Sequence, residues 1–92
     1  MRVTVVASPR VLLTVLGDGS GVLLDLDTKF YFTLNAVGVA AWRALSIEGG
    51  ATLDSVASAI ADEFDVEPEV ARADLEQLVK GLDDDGLVKI AR

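Results

Sequence analysis

The chain has 92 residues, 51% hydrophobic and 25% charged, and its 15 acidic residues against 8 Lys and Arg give a formal net charge of −7. This describes one domain, spanning residues 1–92, with a modest core, and excludes a disordered chain. With neither Cys nor His, the chain lacks disulfides, the usual zinc, haem and copper ligands, and Ser-His or Cys-His catalytic pairs.

The N-terminus, MRVTVVASPRVLLTVLG, carries one Arg before a short apolar stretch that Arg10 interrupts, which argues against a signal peptide. No apolar run approaches the ~18–20 residues of a bilayer span. No membrane partner is therefore expected, and the absence of Cys makes a reducing cytoplasm the expected compartment. Val3 to Val6 alternates as a short strand that Pro9 interrupts. Val11–Leu16 and Val22–Leu26 form a hairpin around Gly17-Asp18-Gly19-Ser20-Gly21, a turn by composition. Asp27-Thr28-Lys29 then leads tightly into Phe30–Thr33, so the first third is a three-stranded antiparallel meander.

Asn35 caps a helix from about Ala36 to Ser46. Val37, Ala40, Ala41 and Leu45 share its apolar face, with Trp42 on or beside it. Glu48-Gly49-Gly50 stops it. Thr52 or Asp54 starts a second helix, buried along Leu53, Val56, Ala57, Ile60 and Phe64. After Asp65-Val66-Glu67, Pro68 opens a third helix running to about Asp84. Its central stripe is Ala71, Leu75, Leu78 and Leu82, with Val79 on one margin and Val70 and Asp74 on the other. Gly86 ends it, leaving Leu87-Val88-Lys89-Ile90 for a short terminal strand. This order fits a small α+β domain of winged-helix type, a three-stranded antiparallel sheet followed by three helices packed on one sheet face.

Each chemically suggestive motif has a plainer reading. Asp25 and Asp27 share a sheet face, and without a pocket or nucleophile they read as solvated rather than as an acid/base pair. Asp83-Asp84-Asp85 reads as a frayed, solvated helix end. The glycine-rich turn lacks the Lys of a phosphate loop and leads into a strand. Asp54-Ser55-Val56 is similar to the Asp-Ser-Leu of phosphopantetheine carriers, but those are four-helix bundles, which leaves helix capping. Trp42 reads as core. Phe30 and Phe32 share one face with Leu34, and Tyr31 and Thr33 take the other. An aromatic strand at a sheet edge, in a chain without catalytic residue types, points to peptide capture by strand addition. The acidic surface favours a Lys- or Arg-bearing peptide over nucleic acid.

The run Leu24-Asp25-Leu26-Asp27-Thr28-Lys29-Phe30-Tyr31-Phe32-Thr33-Leu34-Asn35, followed by Gly38 and Trp42, resembles the PqqD-like family. Gly50-Ala51-Thr52-Leu53, Phe64-Asp65-Val66, Ala73-Asp74-Leu75 and Gly86-Leu87-Val88 extend the resemblance over roughly Val11 to Ile90. It implies a winged-helix-like recognition element of ribosomally made, post-translationally modified peptide pathways. Such a domain binds a precursor's leader peptide as a strand added to the third strand of its sheet, in a groove bordered by the third helix. Carried over residue by residue, the docking edge is Lys29, Phe30, Tyr31, Phe32 and Thr33. The helical wall is Val70, Asp74, Gln77, Leu78 and Gly81, with Asp74 placed to pair with a basic leader residue and the aromatics supplying apolar pockets. A leader bearing basic and aromatic residues is therefore expected.

Length and charge look most like the discrete subunit of lasso peptide systems, which works with a leader peptidase and a macrolactam-forming cyclase. The alternative within the family is the peptide chaperone of pyrroloquinoline quinone synthesis, which serves a radical enzyme. No enzyme activity, catalytic residue, cofactor or metal is expected. A winged-helix DNA-binding regulator is the competing reading, since fold alone does not set function. Its third helix would need a basic face, yet carries only Arg72 and Lys80 against Glu67, Glu69, Asp74, Glu76 and the Asp triplet.

Overall fold

The computed structural model describes residues 4–47 and 50–91. In chain order these form β1 (Thr4–Ala7), β2 (Val11–Val15), β3 (Gly21–Asp25), β4 (Tyr31–Leu34), α1 (Ala36–Leu45), β5 (Ala51–Thr52), α2 (Leu53–Phe64), α3 (Pro68–Asp84) and β6 (Val88–Ala91). The fold is α+β: three helices with two three-stranded antiparallel sheets, ordered β2-β3-β4 and β5-β1-β6.

The expected meander is the first of these sheets. Its registers align Leu13, Leu23 and Phe32 across three strands on the inner face, and Leu12, Leu24 and Tyr31 on the outer face. The inner row packs into the core, with Leu23 fully buried. The turn before β3 closes through the Ser20 carbonyl, which accepts from the Leu16 amide at 2.8 Å, and Asp18, whose carboxylate accepts from the Ser20 amide at 3.0 Å.

The second sheet departs from expectation. The first strand does not extend the meander; β1 pairs instead with β6, Thr4 opposite Ala91 and Ala7 opposite Val88, and with the two-residue β5. These partners lie up to a chain length apart, so no local pattern announces them. Val3, the expected start of that strand, lies outside the described residues, as do Glu48 and Gly49 of the expected helix stop.

The helices begin where side-chain caps satisfy their free amides. The Asn35 Oδ1 accepts from the Gly38 amide at 2.8 Å, and the Thr52 Oγ1 from the Ser55 amide at 3.2 Å. Thr52 is therefore the second helix's cap, and the Asp54-Ser55 pair lies within its first turn. Pro68 opens α3. Gly86 closes it in the left-handed region (φ 76°), while the amide of buried Leu87 donates to the Leu82 carbonyl. The buried face of α1 runs through Val39, Ala41, Trp42 and Leu45; the expected Ala41, Trp42 and Leu45 are among them, while Val37 and Ala40 are half-buried at its margin. Gly21 leaves room for Val39 against β3, since a Cβ there would lie 2.8 Å from the Val39 Cγ2. In α3, Val79 is buried and Leu78 only half-buried, exchanging their expected places.

Gly50 joins the two halves. It has φ 79°, and a Cβ there would run into the Val5 carbonyl and the Val6 side chain. Gly50→Ala is expected to destabilise the fold by about 1–3 kcal/mol, the scale of a strained left-handed residue. Urea unfolding followed by Trp42 fluorescence measures this.

Candidate functional site: an open strand edge above a groove

β4 is the outer strand of its sheet, and among the described residues it pairs with β3 alone. Its direction is set by a bulged turn. The Lys29 amide donates to the Asp25 carbonyl at 2.8 Å, and the Asp25 amide donates to the Phe30 carbonyl at 3.0 Å, with Lys29 held at φ 63°. Lys29 and Phe30 thus both stand opposite Asp25, the arrangement of a bulge with a left-handed first residue. The Phe30 carbonyl faces β3, and backbone groups alternate sides along an antiparallel strand. Phe32 and Leu34 therefore bond inward, and Tyr31 and Thr33 direct their N–H and C=O groups outward.

The bulge corrects two expectations. The strand starts at Tyr31, leaving Lys29 and Phe30 in the turn, and Phe30 is exposed instead of sharing the core face with Phe32 and Leu34. Asp25 is not solvated either: only 1% of its surface is accessible. It turns inward because its Oδ1 accepts the amides of Asp27 at 2.9 Å and Thr28 at 3.3 Å, while the Arg10 Nε stands 3.3 Å away. Asp27, from which the Arg10 Nε lies 3.4 Å, stays exposed.

Beside this edge lies a groove of about 520 Å³ between the end of β4, α1 and α3. Its apolar lining includes Leu34, Gly38, Ala41, Ile60, Ala71 and Leu75, and Thr33, Asn35, Asp74 and Gln77 form its polar lip. No Lys or Arg lines it, so its field favours a cationic visitor. Gly38 shapes it, since a Cβ there would stand 3.1 Å from the Leu34 Cβ, tighter than ordinary contact. Thr33 and Leu34 share the groove with Asp74, Gln77 and Leu78, and a Cβ at Gly81 would lie 3.8 Å from the Phe32 ring. β4 and α3 thus run in opposite directions along the cleft.

The structure brings together six of the ten expected site residues: Phe32, Thr33, Asp74, Gln77, Leu78 and Gly81. Val70, 52% exposed, lies one turn before Asp74 on the same helical stripe but does not line the groove. Lys29 and Phe30 sit beyond the strand's start. Tyr31, 65% exposed, carries its side chain on the opposite sheet face. Sequence reasoning missed Leu34 of β4, the Asn35 cap, Val37, Gly38 and Ala41 of the first helix, Ile60 of the second, and Ala71 and Leu75 of the third. The spacing Leu34-Asn35 then Gly38, a cap followed by a residue without a side chain, was the available signal.

Among the described residues no cluster of three His, Cys, Asp or Glu is placed to hold a metal, and no described helix is long and apolar enough to cross a membrane. What the fold and site define is a small α+β domain with an open sheet edge set over an apolar, acid-lipped groove.

The chain belongs to the PqqD family: the model for coenzyme PQQ synthesis protein D matches residues 20–88. Comparison with curated proteins gave no match. Among solved structures it is similar to TbiB1 in complex with the TbiA(beta) leader peptide, with 31% identity, TM-score 0.76, and coverage of 91% of this chain and 94% of that one. It is also similar to lasso peptide synthetase B1 complexed with the leader peptide, with 26% identity, TM-score 0.74, and coverage of 94% and 98%.

Two outcomes follow from the environment of Asp25 and Gly81. Burial, the largest single influence, raises the Asp25 pKa, but the Asp27 and Thr28 amides and Arg10 together outweigh it and hold the group below the usual aspartate value. A lowered folded pKa contributes stability above the unfolded value of about 3.9 and loses it as the pH falls through the folded one. The melting temperature of Asp25→Asn is therefore expected to lie below that of the wild type at neutral pH, with the gap narrowing below about pH 4. Asp18, held low by the Ser20 hydroxyl and amide, is common to both proteins and cancels. Gly81→Ala meets Phe32 at ordinary contact distance, so gaining helix propensity of about 0.5–1 kcal/mol is expected to raise the urea midpoint.

Proposed function

We propose that this chain is the leader-peptide recognition element of a lasso or related peptide pathway, binding its guest as a fourth strand against the outer edge of β4. The observation that carries this reading is the pair of outward-facing backbone groups at Tyr31 and Thr33, set beside an apolar groove. A strand added there gains main-chain hydrogen bonds without regard to sequence, while alternate side chains of the guest enter the cleft towards α3 and supply selectivity. Phe32, Leu78 and Gly81 shape the apolar wall, and Asp74 and Gln77 meet polar or basic residues at the lip. Lys29, Phe30 and Tyr31 flank one end of the guest and Val70 the other. The two solved relatives, both bound to leader peptides at identities of 31% and 26% over nearly the whole chain, support this reading.

The protein would be non-catalytic, its whole length one recognition domain in the cytoplasm. It would hand the bound precursor to a leader peptidase and a macrolactam-forming cyclase. The matched family's description favours a second reading, chaperoning of the precursor peptide of pyrroloquinoline quinone synthesis, through the same edge. Preference for a lasso leader or for that precursor separates the two.

Anisotropy of a labelled TbiA(beta) leader peptide, combined with amide exchange, tests the proposal. Protection on binding is expected at the Tyr31 and Thr33 amides. Thr33→Pro, which removes an outward donor but no ladder bond, is expected to weaken binding about tenfold or more. Thr33→Val keeps the amide and should bind as the wild type does. Asp74→Arg should weaken a cationic leader by roughly fivefold, an effect that added salt diminishes. Protection on another strand, or unchanged affinity in Thr33→Pro and Asp74→Arg alike, would remove this site.

A further inference from the structure

Arg10 lies outside both the groove and the β4 edge, yet it meets the two segments that set their spacing. Its Nε stands 3.3 and 3.4 Å from the Asp25 carboxylate oxygens, and its Nη2 donates to the Gly86 carbonyl at 3.4 Å. Its own carbonyl accepts the Leu26 amide at 3.1 Å. Asp25 in turn holds the turn from which β4 departs, through the amides of Asp27, Thr28 and Lys29. Gly86 lies just past the end of α3, in the left-handed turn that follows its cap. One side chain therefore links the turn that precedes β4 to the turn that follows α3.

This link has a physical reason to matter. β4 is four residues long and held on one side only, so its position relative to α3 rests on its ladder to β3 and on whatever fixes its two ends. The far end is anchored by Leu34 in the core and by the Asn35 cap of α1. The near end has the bulged turn, whose organiser is the charged group most deeply buried among the described residues. A buried carboxylate is stable only when paired and hydrogen-bonded. Arg10, still 45% exposed, supplies that pairing from the rim, and its planar fork serves Asp25 and the Gly86 carbonyl together.

Resting on the peptide-binding reading above, we propose that Arg10 is a positioning residue for the guest peptide. It acts through Asp25 and Gly86 to hold the β3–β4 turn against the end of α3 and so fixes the width of the cleft at its Phe32–Gly81 end. It makes no contact with the guest. A lysine cannot replace it, because one ammonium cannot hold the carboxylate and the carbonyl in the same fork.

The test uses the full chain with the labelled TbiA(beta) leader peptide as probe, well below the melting temperature of every variant. Arg10→Met, which keeps the apolar stem, is expected to lower affinity about tenfold, mainly through faster dissociation. Amide exchange at Thr28 to Phe30 should accelerate while that of the α1 core is unchanged. Arg10→Lys should resemble Arg10→Met. Asp25→Asn should lose affinity likewise, and combining it with Arg10→Met should cost little more than either alone, the non-additivity of one shared linkage. If Arg10→Met melts earlier but its folded fraction binds as tightly as the wild type, Arg10 is merely structural and the proposal is overturned. Full recovery in Arg10→Lys would overturn it too, by showing that charge alone is read. A wild type that fails to bind the probe would instead strike at the peptide-binding reading, and the positioning role would fall with it.

Discussion

Every backbone donor and acceptor has to be paired or wet, and β4 leaves two of each facing outward. The rest of the molecule arranges itself around that requirement. The bulge at Lys29 and Phe30 decides which residues face out, because the Phe30 carbonyl bonded to the Asp25 amide fixes the alternation that follows. Inward bonding at Phe32 and Leu34 keeps the strand on its sheet and puts their side chains over the helices. Outward bonding at Tyr31 and Thr33 leaves the edge available.

Missing side chains set how closely the elements around the groove approach. Gly21 admits Val39, and Gly38 lets α1 approach Leu34. Neither needs a left-handed backbone; what matters at each is space. The small residues Ala41 and Ala71 continue the same theme along the cleft. A surface with an apolar floor, a polar lip and main-chain partners at one side suits an extended polypeptide better than a compact small molecule.

Much of this was legible in the residues because it is local. The meander, the Asn35 cap, the limits of α3 and the core role of Trp42 each follow from periodicity and turn chemistry within a few neighbours. The stripe Asp74, Gln77, Leu78 and Gly81 lies on one helical face, and the first three of these line the groove. What escaped was non-local. The β1–β6 pairing joins the two ends of the chain, so no window of sequence contains it. Asp25 looked solvated because alternation alone cannot show that Arg10 and two amides would gather round it. The bulge delays the start of β4 to Tyr31, which leaves Lys29 and the exposed Phe30 in the turn. The contribution of α1 to the groove was hidden because Gly38 acts by what it lacks.

The outer strand's openness also bears on how the protein behaves at high concentration. An unpaired edge offers itself to a sibling molecule as readily as to a guest, and Tyr31 and Leu12 on the adjoining sheet face would reward such self-pairing. The counterweight is mutual repulsion between copies that each carry seven excess negative charges. That repulsion is long-ranged in dilute buffer and contracts to about 10 Å at 0.1 M salt. That acidity opposes self-pairing along the open edge, and ionic strength sets how strongly.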